Sequence, residues 1–265
     1  MSLIPAALSD TATFQNLLSL TLMSTVDVLV TEALLRLIPS SKLRSLTVNF
    51  STPFSEIAHK EHIQKLVNTV STFHQLTDLD LSTFQALSTQ VDAPAWDLAN
   101  LAKLHSLRDL TIMIPGFTWS RDVLHDVIST SWPNLERLHL SLQPVNPPID
   151  ILGDYAVFFP KLTSLEAPFD ASLPPTSLIP AGRSTKVVAL TVDDCPISKD
   201  SWPRVAAYIA VVYPNACMYE IEDEAEDEAA QCWNEVAAMV PVMVDVAKAE
   251  RTLLHEGRID VRPVF

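Results

Sequence analysis

Eight times along the chain the same short pattern recurs, apolar-x-x-apolar-x-apolar, and nothing else in the sequence limits the possible folds as strongly. The instances are LLSLTL at 17, LRSLTV at 43, LTDLDL at 76, LRDLTI at 107, LERLHL at 135, LTSLEA at 162, VVALTV at 187 and ACMYEI at 216. Their spacings of 26, 33, 31, 28, 27, 25 and 29 average near 28 residues. A second feature keeps the same register. Three residues ahead of six of the eight instances stand Phe14, Phe73, Leu104, Trp132, Phe159 and Tyr213, and in WPNL, FPKL and YPNA a proline follows.

Apolar residues two apart at the fourth and sixth positions make a short strand with one buried face. The segments between read as helices. Val30, Ala33, Leu34 and Leu37 form one stripe, Ile63, Leu66, Val67 and Val70 a second, and Val123, Leu124, Val127 and Ile128 a third. A proline behind the aromatic residue ends each return and starts the run into the next strand. The stretch Ser172–Arg183, with Pro174, Pro175 and Pro180, is the weakest helix of the set and is open to being a loop.

No such unit can bury its own apolar face, so the units must stack. The predicted fold is an α/β solenoid: an arc of about eight parallel strands with helices on the convex side. The strands are expected near 17–22, 43–48, 76–81, 107–112, 135–140, 162–167, 187–192 and 216–221, all within a repeat domain of residues 1–222. Leu46, Leu79, Leu110, Leu138, Leu165 and Leu190 should form its buried stack. Residues 223–265 read as an acidic helical cap and tail. There Ala229, Trp233, Val236 and Val240 share a stripe that should meet Tyr219 and Ile221, Pro241 should kink or restart the helix, and Gly257 lies where a C-cap would.

The pattern resembles the leucine-rich repeat, L-x-x-L-x-L-x-x-N/C-x-L, over roughly residues 14–222. The period and the aromatic-Pro-x-Leu lead-in are most similar to the repeat regions of fungal F-box/leucine-rich-repeat proteins. That resemblance implies a non-catalytic protein–protein interaction scaffold, and specifically the substrate-recognition part of an F-box-type ubiquitin-ligase receptor. The sequence departs from the family in two places. The Asn/Cys position is matched only by Cys195; elsewhere it holds Thr25, Ser51, Phe84, Pro115, Gln143, Asp170 and Glu224. The 13 residues before Phe14 are too few for an F-box, so a ligase adaptor would need an F-box outside this chain.

Composition narrows the chemistry. The four glycines stand alone at Gly116, Gly153, Gly182 and Gly257, so no phosphate-cradling loop or nucleophile elbow can be written. A zinc site needs three or four ligands, and His59 and His62 have only Glu56 as a local third, so at the edge of the buried stripe they read as structural. His105, His125 and His255 have no acid or nucleophile at a motif spacing. No enzyme, metal or cofactor is read from the sequence. Cys195, Cys217 and Cys232 are odd in number and form no C-x-x-C, which suits a reducing compartment. With no basic amino-terminal region, and Val205 to Val212 as the longest clear apolar run, the expected location is cytoplasm or nucleus.

Charge then points to a partner. The chain carries 18 Lys and Arg against 32 Asp and Glu, a net −14, with seven acids between Glu220 and Glu228. That balance argues against nucleic-acid backbone and against an anionic membrane. In each repeat the residues flanking the fourth and sixth positions point away from the core, toward the concave face. Of the 24 such positions seven are acidic, Asp78, Asp80, Asp109, Glu166, Asp193, Glu220 and Glu222, where about three would follow from the chain average. Arg137 and His139 interrupt them. These nine residues are the candidate partner-binding set. One reading is a ligase substrate receptor. The alternative is an acidic leucine-rich-repeat protein that binds a basic, histone- or ribonuclease-like protein and has nothing to do with ubiquitin ligases.

Overall fold

The computed structural model describes residues 14, 16–23, 28–39, 42–50, 57–83, 99–114, 131–140, 146–177, 179–186, 188–192, 195–218 and 227–255, with the backbone alone at 57–60 and 254–255. They fall into two compact units, Met1–Asn146 with Phe158–Pro168, and Pro147–Val157 with Phe169–Phe265. The protein is α/β, and its described strand pairings are all parallel.

In the first unit six strands follow one another in chain order: β1 (Ser19–Leu22), β2 (Ser45–Phe50), β3 (Asp78–Thr83), β4 (Asp109–Met113), β5 (Arg137–Leu140) and β6 (Ser164–Glu166). The repeat dictates their register. Leu46 stands opposite Leu79, Leu79 opposite Leu110, Leu110 opposite Leu138, and Leu138 opposite Leu165. All five are at most 1% exposed, and burying each leucine contributes roughly 1.5–3 kcal/mol. Helices α1 (Val28–Leu35) and α2 (Ile57–Val70) pack side by side, and α2 is followed by a 3-10 turn at Ala99–Lys103.

The lead-in residues explain why the register holds. Phe14, Phe73, Leu104, Trp132, Phe159 and Tyr213 each accept, on the main-chain carbonyl, the N–H three residues on, at 2.9–3.1 Å. The turn aims the chain into the strand, and its side chain is buried beneath it at Phe73, Leu104, Trp132, Phe159 and Tyr213. Trp132 also stacks on Phe159 and donates from Nε1 to the Leu101 carbonyl at 3.1 Å. In the first unit a carbonyl one residue into a repeat takes two donors from the next. Arg44 accepts from Thr77 (2.7 Å) and Asp78 (3.0 Å), Thr77 from Arg108 (2.8 Å) and Asp109 (3.0 Å), and Arg108 from Glu136 (2.7 Å) and Arg137 (2.9 Å).

The second unit holds α3 (Ile151–Phe158), β7 (Val188–Thr191), α4 (Trp202–Val212), β8 (Ala216–Met218) and α5 (Glu228–His255). Leu190 is 1% exposed, as its place in the repeat requires. Residues 172–177 and 179–183 carry no helix; Asp150 ties this loop down by accepting the Thr176 hydroxyl at 2.8 Å. α5 packs on α4 through Trp233, Val236 and Val240, all buried. Trp233 donates to the Cys195 carbonyl at 2.7 Å and sets its edge against Phe169. Tyr219 and Ile221, its expected neighbours, lie outside the described residues, as does the stripe from Val123 to Ile128.

Four expectations are corrected. α1 buries Val28, Thr31, Glu32 and Leu35, while Val30 is exposed. VLVTEALL is apolar on almost every side, so periodicity could not choose the face; Glu32 is tolerated because Arg36, one turn on, pairs with it at 2.5 Å. α5 does not restart at Pro241 but continues as one helix to His255, with Pro241 on the exposed side where water can serve the carbonyl it leaves without a donor. Ala230, not Ala229, is the buried alanine of that helix. Finally, Leu190 pairs with Met218 and not with Tyr219, one residue away from the repeat alignment.

Candidate functional site: an acidic strand face

The residues opposite the leucine column are half-exposed, and the sheet register sorts them into rows. The first row reads Ser45, Asp78, Asp109, Arg137, Ser164. The second reads Thr47, Asp80, Thr111, His139, Glu166. Six of the nine predicted residues thus come together on four adjacent strands of one unit. Asp193, Glu220 and Glu222 lie outside the described residues.

In the first row Arg137 grips Asp109 at two points, Nε to Oδ1 and Nη2 to Oδ2, the second at 2.6 Å. Asp78 lies directly across from Asp109 and accepts the Thr77 hydroxyl at 2.6 Å. The two carboxyls divide their roles. Burial pushes Asp78 up, but hydrogen bonds from Asp109 and Thr77, with the charges of Arg137 and Arg108, outweigh it and hold Asp78 below the usual carboxylate value. At Asp109 burial wins over Arg137, and the neighbouring Asp78 adds to it, so Asp109 is held above. Asp109 is therefore the carboxyl that keeps a proton longer, and Asp78 the acceptor beside it. Arg137 is itself held more firmly charged by Asp109.

In the second row His139 Nε2 meets Glu166 Oε1 at 2.5 Å, an ion pair whenever the imidazole is protonated. Asp80 has no cation in hydrogen-bond contact among the described residues. Burial raises its pKa, offset in part by a hydrogen bond with Ser82 and by the charge of His139. Its Oδ1 is shut away from solvent with no donor among the described residues, and so is the Oδ1 of Asn49, which sits across from Ser82.

Sequence reasoning placed these residues on one face but read Arg137 and His139 as a basic break in an acidic field. They are instead the partners of Asp109 and Glu166. The signal was there: 109 and 137 share one repeat position, and 139 and 166 share another, so each pair had to be cross-strand neighbours. Among the described residues no group of three or more His, Cys, Asp or Glu could hold a metal ion, and no helix is long and apolar enough to cross a membrane. No family model, curated protein or solved structure matches the chain.

With Asp109 held by Arg137 and Glu166 set against His139, Asp78 and Asp80 are the acids of this face that meet no cation among the described residues. Around them Ser45, Thr47, Ser82 and Thr111 supply short hydroxyl side chains. That array suits recognition of cationic side chains on a protein surface.

Proposed function

We propose that this chain is a non-catalytic protein-binding scaffold of the leucine-rich-repeat kind, whose strand face docks a basic surface of a partner protein. The observation that carries the reading is Asp80: a carboxylate set among hydroxyls on the open strand face, with one oxygen buried and lacking any donor among the described residues. A stranded acceptor of that kind destabilises the free protein and is relieved by a ligand that brings N–H groups to it. In this reading α5 is the terminal unit that covers the end of the array. The repeat's likeness to F-box/leucine-rich-repeat proteins also favours the ligase-receptor setting, in which an adaptor would co-purify with the full-length protein.

The test is association kinetics with the partner recovered from the native cell. Asp78→Lys with Asp80→Lys should slow association about tenfold or more, and the wild-type rate should fall as salt rises. Asp109 is left in place because it holds Arg137, and an unchanged melting curve shows that the fold survives. A rate that ignores both salt and the double reversal would retire the proposal.

A further inference from the structure

In the second unit the buried stripe of α5, Trp233 to Val240, ends at Val244, and every described side chain beyond it is at least partly exposed. The helix nevertheless continues to His255. Beside it, against the carboxy-terminal half of α4, lies a groove of about 220 Å³. Its floor is apolar, with Val211 from α4 and Met243 and Ala247 from α5; Val211 is 43% exposed. Ala207, Ala210, Pro214 and Val244 complete the apolar part, and the charged lining is all basic: Arg183, Lys248 and Arg251. These are three of only 18 cations in a chain of net charge −14. Lys248 meets Asp245 at 3.4 Å, while Arg183 and Arg251 meet no carboxylate among the described residues. Arg183 stands on fixed backbone, since the next residue, Ser184, donates its N–H to the Val212 carbonyl at 2.7 Å.

Size and charge together define the occupant. A groove of this volume is smaller than the roughly 300–1,000 Å³ of sites that swallow a small molecule, and it matches one or two apolar side chains presented by a peptide. Two packed helices make the trough in which an amphipathic helix lies, with anchors at helical spacing. Lys248 and Arg251, three residues apart, sit on neighbouring turns and can meet acids at the same spacing.

We propose that the groove between α4 and the end of α5 docks an acidic amphipathic helix of a partner protein. An apolar side chain of that helix seats on Val211, Met243 and Ala247, and its Asp or Glu residues pair with Arg183, Lys248 and Arg251. The site is separate from the strand face and selects the opposite charge.

The probe is a fluorescein-labelled peptide of about 18 residues, Leu on one helical face and Glu flanking it, titrated with the full chain and read by anisotropy. Binding should weaken with salt. It should fall about tenfold or more in Lys248→Glu with Arg251→Glu, and equally in Ala247→Phe, which fills the floor. The exposed charge reversals are not expected to unfold the protein, which melting verifies. A peptide with Leu replaced by Ser, or with Glu replaced by Lys, should not bind. Equal binding of the Ser peptide, no binding of the Leu/Glu peptide, or binding that ignores all three substitutions overturns the proposal. Displacement of the peptide by decanoate at equal concentration would assign the groove to a small amphiphile and overturn it too. So would self-association in light scattering that the same reversals abolish, which would name a second copy of this chain as occupant. Asp78→Lys with Asp80→Lys should leave peptide binding unchanged, so failure here and failure of the strand-face reading are told apart.

Discussion

Removing Arg137 should unbalance the two carboxyls beside it. Its guanidinium holds Asp109 at two points, and Asp78 stands opposite Asp109 on the next strand. The Arg137 side chain is 67% exposed, so the pair belongs with surface ion pairs. The bidentate geometry puts it at the top of that class, about 1 kcal/mol. A double-mutant cycle with Arg137→Ala and Asp109→Asn isolates the coupling in urea unfolding. It should come to about 1 kcal/mol at neutral pH and low salt, and shrink at high salt. The pH dependence has a definite sign. Asp109 is held above its ordinary value, so its contribution favours the fold while protonated and is lost as pH rises through the folded value. Without Arg137 that folded value moves higher still. The Arg137→Ala penalty should therefore be nearly absent at about pH 3 and grow through the carboxylate range. A coupling below about 0.2 kcal/mol at low salt, or a penalty that does not change with pH, would refute the reasoning.

Leu110→Ala should cost about 2–5 kcal/mol in urea unfolding, because Leu79 and Leu138 are locked by the sheet and cannot close the gap. Thr111→Ala, one residue along on the open face, should stay within about 0.5 kcal/mol. Trp233→Phe removes the 2.7 Å hydrogen bond to the Cys195 carbonyl and should lower stability by about 0.5–1.5 kcal/mol in urea unfolding. Gly182→Ala would set a methyl 2.3 Å from Val157 Cγ2 and 2.9 Å from the Gly153 carbonyl oxygen, so the loop must shift. A loss of about 1–3 kcal/mol in melting experiments is expected, and a neutral result would mean that the loop yields freely.

The column Leu46 to Leu165 was legible because a period-2 pattern behind a fixed lead-in admits one register only. The last strand was not. ACMYEI has no leucine, and Ala216 and Cys217 grip neither face strongly, so sliding by one residue costs little and pairing followed the turn at Tyr213. α1 hid its face by being apolar all round, and its true stripe includes Glu32, which no hydrophobic reading selects. Pro241 misled because a rule about the lost N–H says nothing of which side of the helix the proline occupies. At the candidate site, the acids on the strand face and their cross-strand cations were readable, but the direction in which each carboxyl is shifted was not. That direction depends on burial, which holds Asp109 and Asp80 above their usual value, while hydrogen bonds keep Asp78 below it.

The lead-in turn has a consequence for how such a chain can change length. In the six repeats that carry a lead-in residue, the count from it to the first apolar residue of the repeat is three, whereas from one repeat to the next the sequence spends anywhere from 25 to 33 residues. Extra residues are thus accommodated after a strand more readily than between a lead-in residue and the repeat it opens. A duplication that starts at one lead-in and ends at the next keeps two donors on every accepting carbonyl and leaves the leucine column unbroken. A single residue inserted between Trp132 and Leu135 would instead turn every later side chain of that strand to the opposite face. Adding a whole unit is therefore the change this architecture accommodates with least disturbance, and the candidate site on its strand face would widen row by row over the same leucine column.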